Sequence, residues 1–208
     1  MKICLVDLDA LSPEDLAFLS SSLGEEERRR LEAMGNPARK TQSLGALYAL
    51  SVLTGGTLPP MGRSPKGKPY FIKDGSLPFS LSHTDTLSVA CLGTHESGAV
   101  GVDLERLSRD TRAEGIARRF FDAEEQEILR KAENDPIRFL TLWTRREARG
   151  KVTGGGVLSP SDPSLLVRSY LLRREDEVYL LSVAAEGEIG EPELFFVGSP
   201  FSHEPISI

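Results

Sequence analysis

Residues Glu124–Gly155 read EEQEILRKAENDPIRFLTLWTRREARGKVTGG, and residues Glu25–Gly56, 99 positions earlier, read EEERRRLEAMGNPARKTQSLGALYALSVLTGG. Nine of the 32 aligned positions are identical: Glu25, Glu26, Ala33, Pro37, Arg39, Ala49, Thr54, Gly55 and Gly56. Unrelated stretches of ordinary composition share about two. Two amphipathic helices that look alike by accident would have no reason to keep both the proline break and the Thr-Gly-Gly ending at one offset. Upstream, a shift of 96 lays Val6-Asp7-Leu8-Asp9 on Val102-Asp103-Leu104-Glu105. A strand followed by helices, twice over, predicts an α+β fold of two similar halves, residues 1–97 and 98–208. We expect them to be related by a pseudo-two-fold axis, with the site in the cleft between them.

The rest of the chain fits that plan. Met1–Leu8 reads as a strand, Leu11–Leu53 as mostly helix broken near Gly35-Asn36-Pro37, and Pro59–Gly67 as a loop rich in proline and glycine. Strand-like runs follow at Pro78–Ser82, Leu87–Leu92 and Ala99–Leu104, then helices from Ile116 to Val152 broken near Asn134-Asp135-Pro136. The tail returns to strands at Leu165–Leu172, Val178–Val183 and Leu194–Val197.

With 208 residues, 39% hydrophobic and 27% charged, the chain can bury a real core. No apolar run approaches the roughly 20 residues that a membrane span needs, and Met1–Asp9 lacks the layout of a secretory leader. A net charge of −6 argues against nucleic-acid binding but leaves room for a local basic site for phosphate. Cys4 and Cys91 sit in apolar strand-like runs and read as buried free thiols of a cytoplasmic protein.

Chemistry concentrates in four places. Val100-Gly101-Val102-Asp103-Leu104-Glu105 is an apolar strand ending in two carboxylates at i and i+2, which share one face. By itself that pair reads as a solvated strand end; with a hard cation between them the carboxylates would cease to repel. Leu142–Gly156 places Glu147 and Lys151 one turn apart on a helix and crowds Arg145, Arg146, Arg149 and Lys151 around one acid, an arrangement that favours a bound anion. Gly154–Gly156 read as a helix stop rather than a phosphate loop, because they follow the helix. Phe79-Ser80-Leu81-Ser82-His83 alternates like a strand and ends in a hydroxyl and an imidazole. Gly62–Pro69 carries Arg63, Lys66 and Lys68 in a stiff loop that either holds phosphate or is merely solvated.

Taken together and in this order, the motifs resemble the 4′-phosphopantetheinyl transferase family, and most closely its monomeric type of about this length, built from two similar halves, that activates carrier proteins. The family's (Ile/Val)-Gly-(Ile/Val)-Asp-x-Glu strand is matched by Val100–Glu105, and its Trp-(Ser/Thr)-x-Lys-Glu-(Ala/Ser)-x-x-Lys helix by Trp143–Lys151. Its Gly-Lys-Pro is matched by Gly67-Lys68-Pro69, its Phe-Asn-(Ile/Leu)-Ser-His by Phe79–His83, and its Ile-Ala-(Lys/Arg)-Arg-Phe-Phe by Ile116–Phe121. The chain departs from the pattern at Ser80, where the family has asparagine, at Arg146, where it has lysine, and at Arg149 and Gly150, where it has apolar helix formers. In a helix, Gly150 costs about 1 kcal/mol against alanine.

The resemblance implies a magnesium-dependent enzyme that transfers phosphopantetheine from coenzyme A to a serine of an acyl or peptidyl carrier protein, releasing 3′,5′-ADP. It implies metal ligation by Asp103, Glu105 and Glu147, and catalysis by Glu147 and Lys151, with either Glu147 or a metal-bound water as the base. Arg63, Ser82, His83, Arg146 and Lys151 would hold coenzyme A phosphates, and Gly67, Lys68 and Pro69 would line the adenine pocket. Residues 111–121, with Arg118, Arg119 and Phe120 foremost, would face the carrier protein. A rival is a binding module of the same fold that has lost turnover; such a module would have shed carboxylates, and all three are present. A different metal-dependent phosphotransferase would need a glycine loop after a strand to cradle a nucleotide, and none is found.

Overall fold

The computed structural model describes residues 1–107, 113–156 and 162–207. The first helical region is three helices, α1 (Pro13–Ser22), α2 (Glu25–Glu32) and α3 (Pro37–Leu53); the second is α4 (Ala113–Phe120), α5 (Ala123–Lys131) and α6 (Pro136–Thr153). The repeated break has a local cause. Asn36 and Asp135 cap the backbone N–H groups of Arg39 and Arg138, and Pro37 and Pro136 stand at the first helical position, where a missing N–H costs nothing. At the far ends Gly55 and Gly154 adopt positive φ, 79° and 68°, and stop the two long helices.

Among the described residues, ten strands form two four-stranded sheets and a hairpin. The first sheet has the order β4 (Phe79–His83), β5 (Leu87–Leu92), β1 (Lys2–Asp7), β9 (Glu193–Val197); the second has β10 (Ser202–Ile206), β7 (Leu166–Arg174), β8 (Glu177–Ala185), β6 (Val100–Arg106). Within each sheet the strands pair antiparallel, except that β9 runs parallel to β1. A strand from near the chain's end thus completes the first sheet.

Two expectations need amending. The loop expected over Pro59–Gly67 contains β2 (Met61–Arg63), which pairs with β3 (Pro69–Phe71) around a turn closed by Gly67 at φ 84°. The strand β10 adds to the three strands expected in the tail; it carries Pro205, and on a sheet edge the missing N–H costs no ladder bond.

Period-two alternation assigns each strand face. Ile3, Leu5, Leu87, Val89 and Cys91 of the first sheet pack on Val100, Val102, Leu104, Leu181 and Val183 of the second. The opposite faces take helices: Cys4, Val6 and Ala90 pack under Ala49 and Leu50 of α3, while Leu171 and Leu180 pack under Phe139, Leu140 and Leu142 of α6. The layers are therefore helix, sheet, sheet, helix. Each fully buried side chain of this size contributes about 1.5–3 kcal/mol. Cys4 and Cys91 lie on opposite faces of neighbouring strands and remain free, and burial pushes both thiols up to about 12.

Candidate active site

Strands β4 and β6 are edges of different sheets, and they lie against each other without pairing. Serines close the seam. Val102 N–H donates to Ser80 Oγ at 3.0 Å, and Ser82 Oγ donates to Asp103 Oδ1 at 2.9 Å. Ser80 and Ser82 share a face of β4 by strand periodicity, so one strand serves both bonds. Helix α6 lies unusually close above β6: a Cβ on Gly101 would stand 1.9 Å from Ala148 O. That approach carries Lys151 into the seam, where its Nζ donates to Ser82 Oγ and Asp103 Oδ1, each at 2.8 Å.

The carboxylates expected together share this region. Asp103 is 5% exposed, and its Oδ2 is buried with no hydrogen-bond partner. Glu105 accepts from Trp143 Nε1 at 3.3 Å. Glu147, one turn before Lys151, has its carboxyl pushed up to about 7, first by burial and then by the charge of Asp103, with Lys151 opposing and Glu105 adding. Among the described residues no three His, Cys, Asp or Glu side chains converge as a ready metal cage. What fits a hard cation is the donorless Asp103 Oδ2 beside two further carboxyls that burden one another with negative charge.

Three cavities run along the seam. One of 300 Å³ is lined by Gly67, Lys68, Pro69, Glu147 and Lys151 among others; the next, of 330 Å³, shares Pro69 and Lys151 and adds Arg63, Ser82 and His83. The third, of 590 Å³, shares His83 and adds Glu105 and Arg106. His83 is exposed on one side, and partial burial together with the Lys151 charge holds its imidazole below the ordinary range. Lys68 Nζ donates to Val100 O (3.1 Å) and Val152 O (2.7 Å), tying the β2–β3 hairpin to β6 and to the end of α6. Burial holds its ammonium below the usual lysine range. Gly154 stops α6 as expected.

Arg146 lies apart from this group: its Nη1 donates to Glu125 Oε2 of α5 at 2.9 Å, and it lines none of the three cavities among their described residues. The positive crowding in α6 is thus answered in part by Glu125, a carboxylate 21 positions away. Phe121, just after α4, is core, whereas Phe120 at its end is half-buried edge-on against Trp143 at 5.7 Å; Arg118 and Arg119 are exposed, and the Arg119 guanidinium stands 5.2 Å from the Phe120 ring centre. Residues 111 and 112 lie outside the described residues. Sequence reading missed Arg30, which lines the 330 Å³ cavity, and Arg39 and Gln42, which line the 590 Å³ cavity. On amphipathic helices they look like ordinary solvated positions.

Residues 99–181 match the family model of the 4′-phosphopantetheinyl transferase superfamily. The chain is 29% identical to the 4′-phosphopantetheinyl transferase HetI of Nostoc sp., over 73% of this chain and 71% of that protein. It is 38% identical to the 4′-phosphopantetheinyl transferase psf-1 of Bacillus pumilus over 44% of this chain, which spans only 38% of that relative. The matched region holds β6 and α6, the two elements that bring Asp103, Glu105, Glu147 and Lys151 together, and over it the chain is similar to the 4′-phosphopantetheinyl transferase superfamily.

Proposed function

We propose that this chain is an enzyme that moves the 4′-phosphopantetheine group of coenzyme A onto a serine hydroxyl of an acyl or peptidyl carrier protein, releasing 3′,5′-ADP. The observation that carries this reading is the Lys151 ammonium held by both Ser82 and Asp103 at the junction of the cavities, with Glu147 one turn away.

Asp103, Glu105 and Glu147 are the residues that would hold magnesium, which when bound would offset charge on the phosphate oxygens. Lys151 donates to the leaving phosphate as negative charge builds there; its ammonium is already oriented, so little reorganisation is needed at the moment of reaction. The serine oxygen bonds to phosphorus as the P–O bond to 3′,5′-ADP breaks. The serine proton passes to Glu147, a carboxylate that lines the 300 Å³ cavity together with Lys151. Gly67, Lys68 and Pro69 line the adenine end; Arg63 and His83 hold phosphate, whereas Arg146, expected beside them, is paired with Glu125 away from the cavities; Arg118, Arg119 and Phe120 meet the carrier.

We further read residues 1–97 and 98–208 as halves about a pseudo-two-fold axis, supported by the parallel strand orders β4-β5-β1 and β7-β8-β6. Asp7 then corresponds to Asp103, but Asp7 is taken by Arg174 at 2.6 Å, and only Asp103 faces a cavity-lining lysine. A cytoplasmic location accords with the free buried thiols, and a monomer is the state proposed with it. The test is incubation with apo carrier proteins of fatty-acid, polyketide and peptide synthetase type, coenzyme A and magnesium, read by intact mass. One added phosphopantetheinyl group is expected; no gain on any carrier overturns the reading.

A further inference from the structure

We propose that Glu27 is a positioning residue, whose buried carboxylate holds Arg30 and Arg63 as a paired fork for a phosphate group of coenzyme A. The assignment rests on the reading of the cleft given above.

Glu27 stands in the first turn of α2, where the helix dipole favours a carboxylate, and its side chain is only 8% exposed. Its Oε1 accepts from Arg30 Nε at 2.8 Å, Arg30 Nη2 at 2.5 Å and Arg63 Nη2 at 3.0 Å; its Oε2 accepts from Arg63 Nη2 at 3.2 Å and Arg63 Nε at 3.4 Å. Arg63 Nη1 is tied in addition to Gly67 O at 2.8 Å. Burial pushes the Glu27 carboxyl up, but the bonds and charges of Arg30 and Arg63 outweigh it and keep the group ionised.

The geometry points outward from there. Arg30 and Arg63 line the 330 Å³ cavity with Lys151 and His83, and no carboxylate is among that cavity's described lining. Glu27 sits behind the wall. Three cationic groups facing one space without an anion would repel each other and splay; a carboxylate behind them removes that repulsion while leaving the wall positive. A guanidinium presents five donors in a rigid fork, so one edge can bind Glu27 while others reach a phosphate. In the second half, at the 99-residue offset, Gln126 takes the place of Glu27 and its amide donates to Phe121 O, while the neighbouring buried carboxylate, Glu125, binds Arg146 away from the cavities.

The test is steady-state kinetics of the full chain with apo carrier and magnesium, varying coenzyme A. Glu27→Gln keeps the shape and removes the charge. It should raise the KM for coenzyme A on the order of 10-fold while kcat stays within about two-fold, the pattern of lost binding to an unreacting part of the substrate. Arg63→Ala should raise the same KM at least as much, and in an Arg30→Ala/Arg63→Ala background Glu27→Gln should add less than about two-fold, because Glu27 acts through the two arginines. Should Glu27→Gln fail to fold, Glu27→Asp keeps the charge on a shorter stem and should raise the KM by a smaller factor. A merely structural Glu27 would lower Tm and leave the coenzyme A KM of every folded Glu27 variant unchanged, or would add its full effect to that of the Arg30→Ala/Arg63→Ala pair; either result overturns the assignment alone. A wild-type chain that takes up no coenzyme A overturns both the assignment and the reading beneath it.

Discussion

Lys151 Nζ lies 2.8 Å from Asp103 Oδ1, joining two residues 48 positions apart on α6 and β6. The pair is unequal. The Asp103 side chain is 7% exposed and that of Lys151 is 28% exposed. Losing the lysine strands a buried carboxylate, whereas losing the carboxylate leaves an ammonium that can turn toward water.

Substitution at the two positions should therefore separate stability from activity. Lys151→Met is expected to cost about 3 kcal/mol in urea unfolding, the loss associated with a stranded buried charge. Asp103→Asn should cost under about 1 kcal/mol while lowering carrier modification by a factor of about 100 or more. Equal destabilisation by the two, or an active Asp103→Asn at limiting magnesium, would show that Asp103 has another role.

Gly150 departs from the helix-forming residues expected at that point, and the packing explains it. A Cβ there would lie 2.3 Å from Gly156 O, where the chain turns back so that Gly156 N–H donates to Gly150 O at 3.2 Å. Gly150→Ala, which propensity alone would make stabilising by about 1 kcal/mol, is instead expected to destabilise by about 1–3 kcal/mol through overpacking. Thermal and urea melts decide the sign directly.

Arg174 predicts a pH-dependent strap between the sheets. Its guanidinium donates to Asp7 Oδ2 of β1 at 2.6 Å and to Glu177 Oε2 of β8 at 2.6 Å, and stacks on the Phe201 ring at 4.4 Å. The Arg174 bond is the main cause holding the Glu177 carboxyl below its ordinary value of 4.5. A carboxylate with a depressed folded value adds stability that is complete above the unfolded value and fades as pH falls through the folded one. Arg174→Met should thus be about 2 kcal/mol less stable than wild type at pH 7. The gap should narrow progressively below about pH 4.5, and a gap independent of pH from 3 to 7 would assign the effect to packing on Phe201.

The exposed arginines of α4 offer a kinetic test of the proposed carrier-facing surface. Reversing charge at Arg118 and Arg119 should raise the KM for carrier protein and flatten its salt dependence, while the KM for coenzyme A hardly moves. Phe120 is braced by Trp143, so the helix should keep its place in these variants. An unchanged carrier KM at low salt, where screening is weakest, would remove this segment from the docking surface.

What the sequence determined by itself was local or periodic. Asn36-Pro37 and Asp135-Pro136 begin helices because cap and proline act within one turn, and Gly154 ends one because it accepts positive φ. Alternation along Val100–Glu105 put Asp103 and Glu105 on one face, and both are found toward α6, contacted by Lys151 and Trp143. Tertiary structure decided which groups meet across distance. Ser80 reaches Val102 over 22 positions, Arg146 reaches Glu125 over 21, and Glu27 reaches Arg63 over 36. No local rule picks those partners, because a hydroxyl, a guanidinium or a carboxylate on a helix or strand is equally at home in water. The choice falls to the packing of two sheets face to face, which leaves β4 and β6 as unpaired neighbouring edges whose polar groups must be satisfied by whatever side chains the core brings beside them.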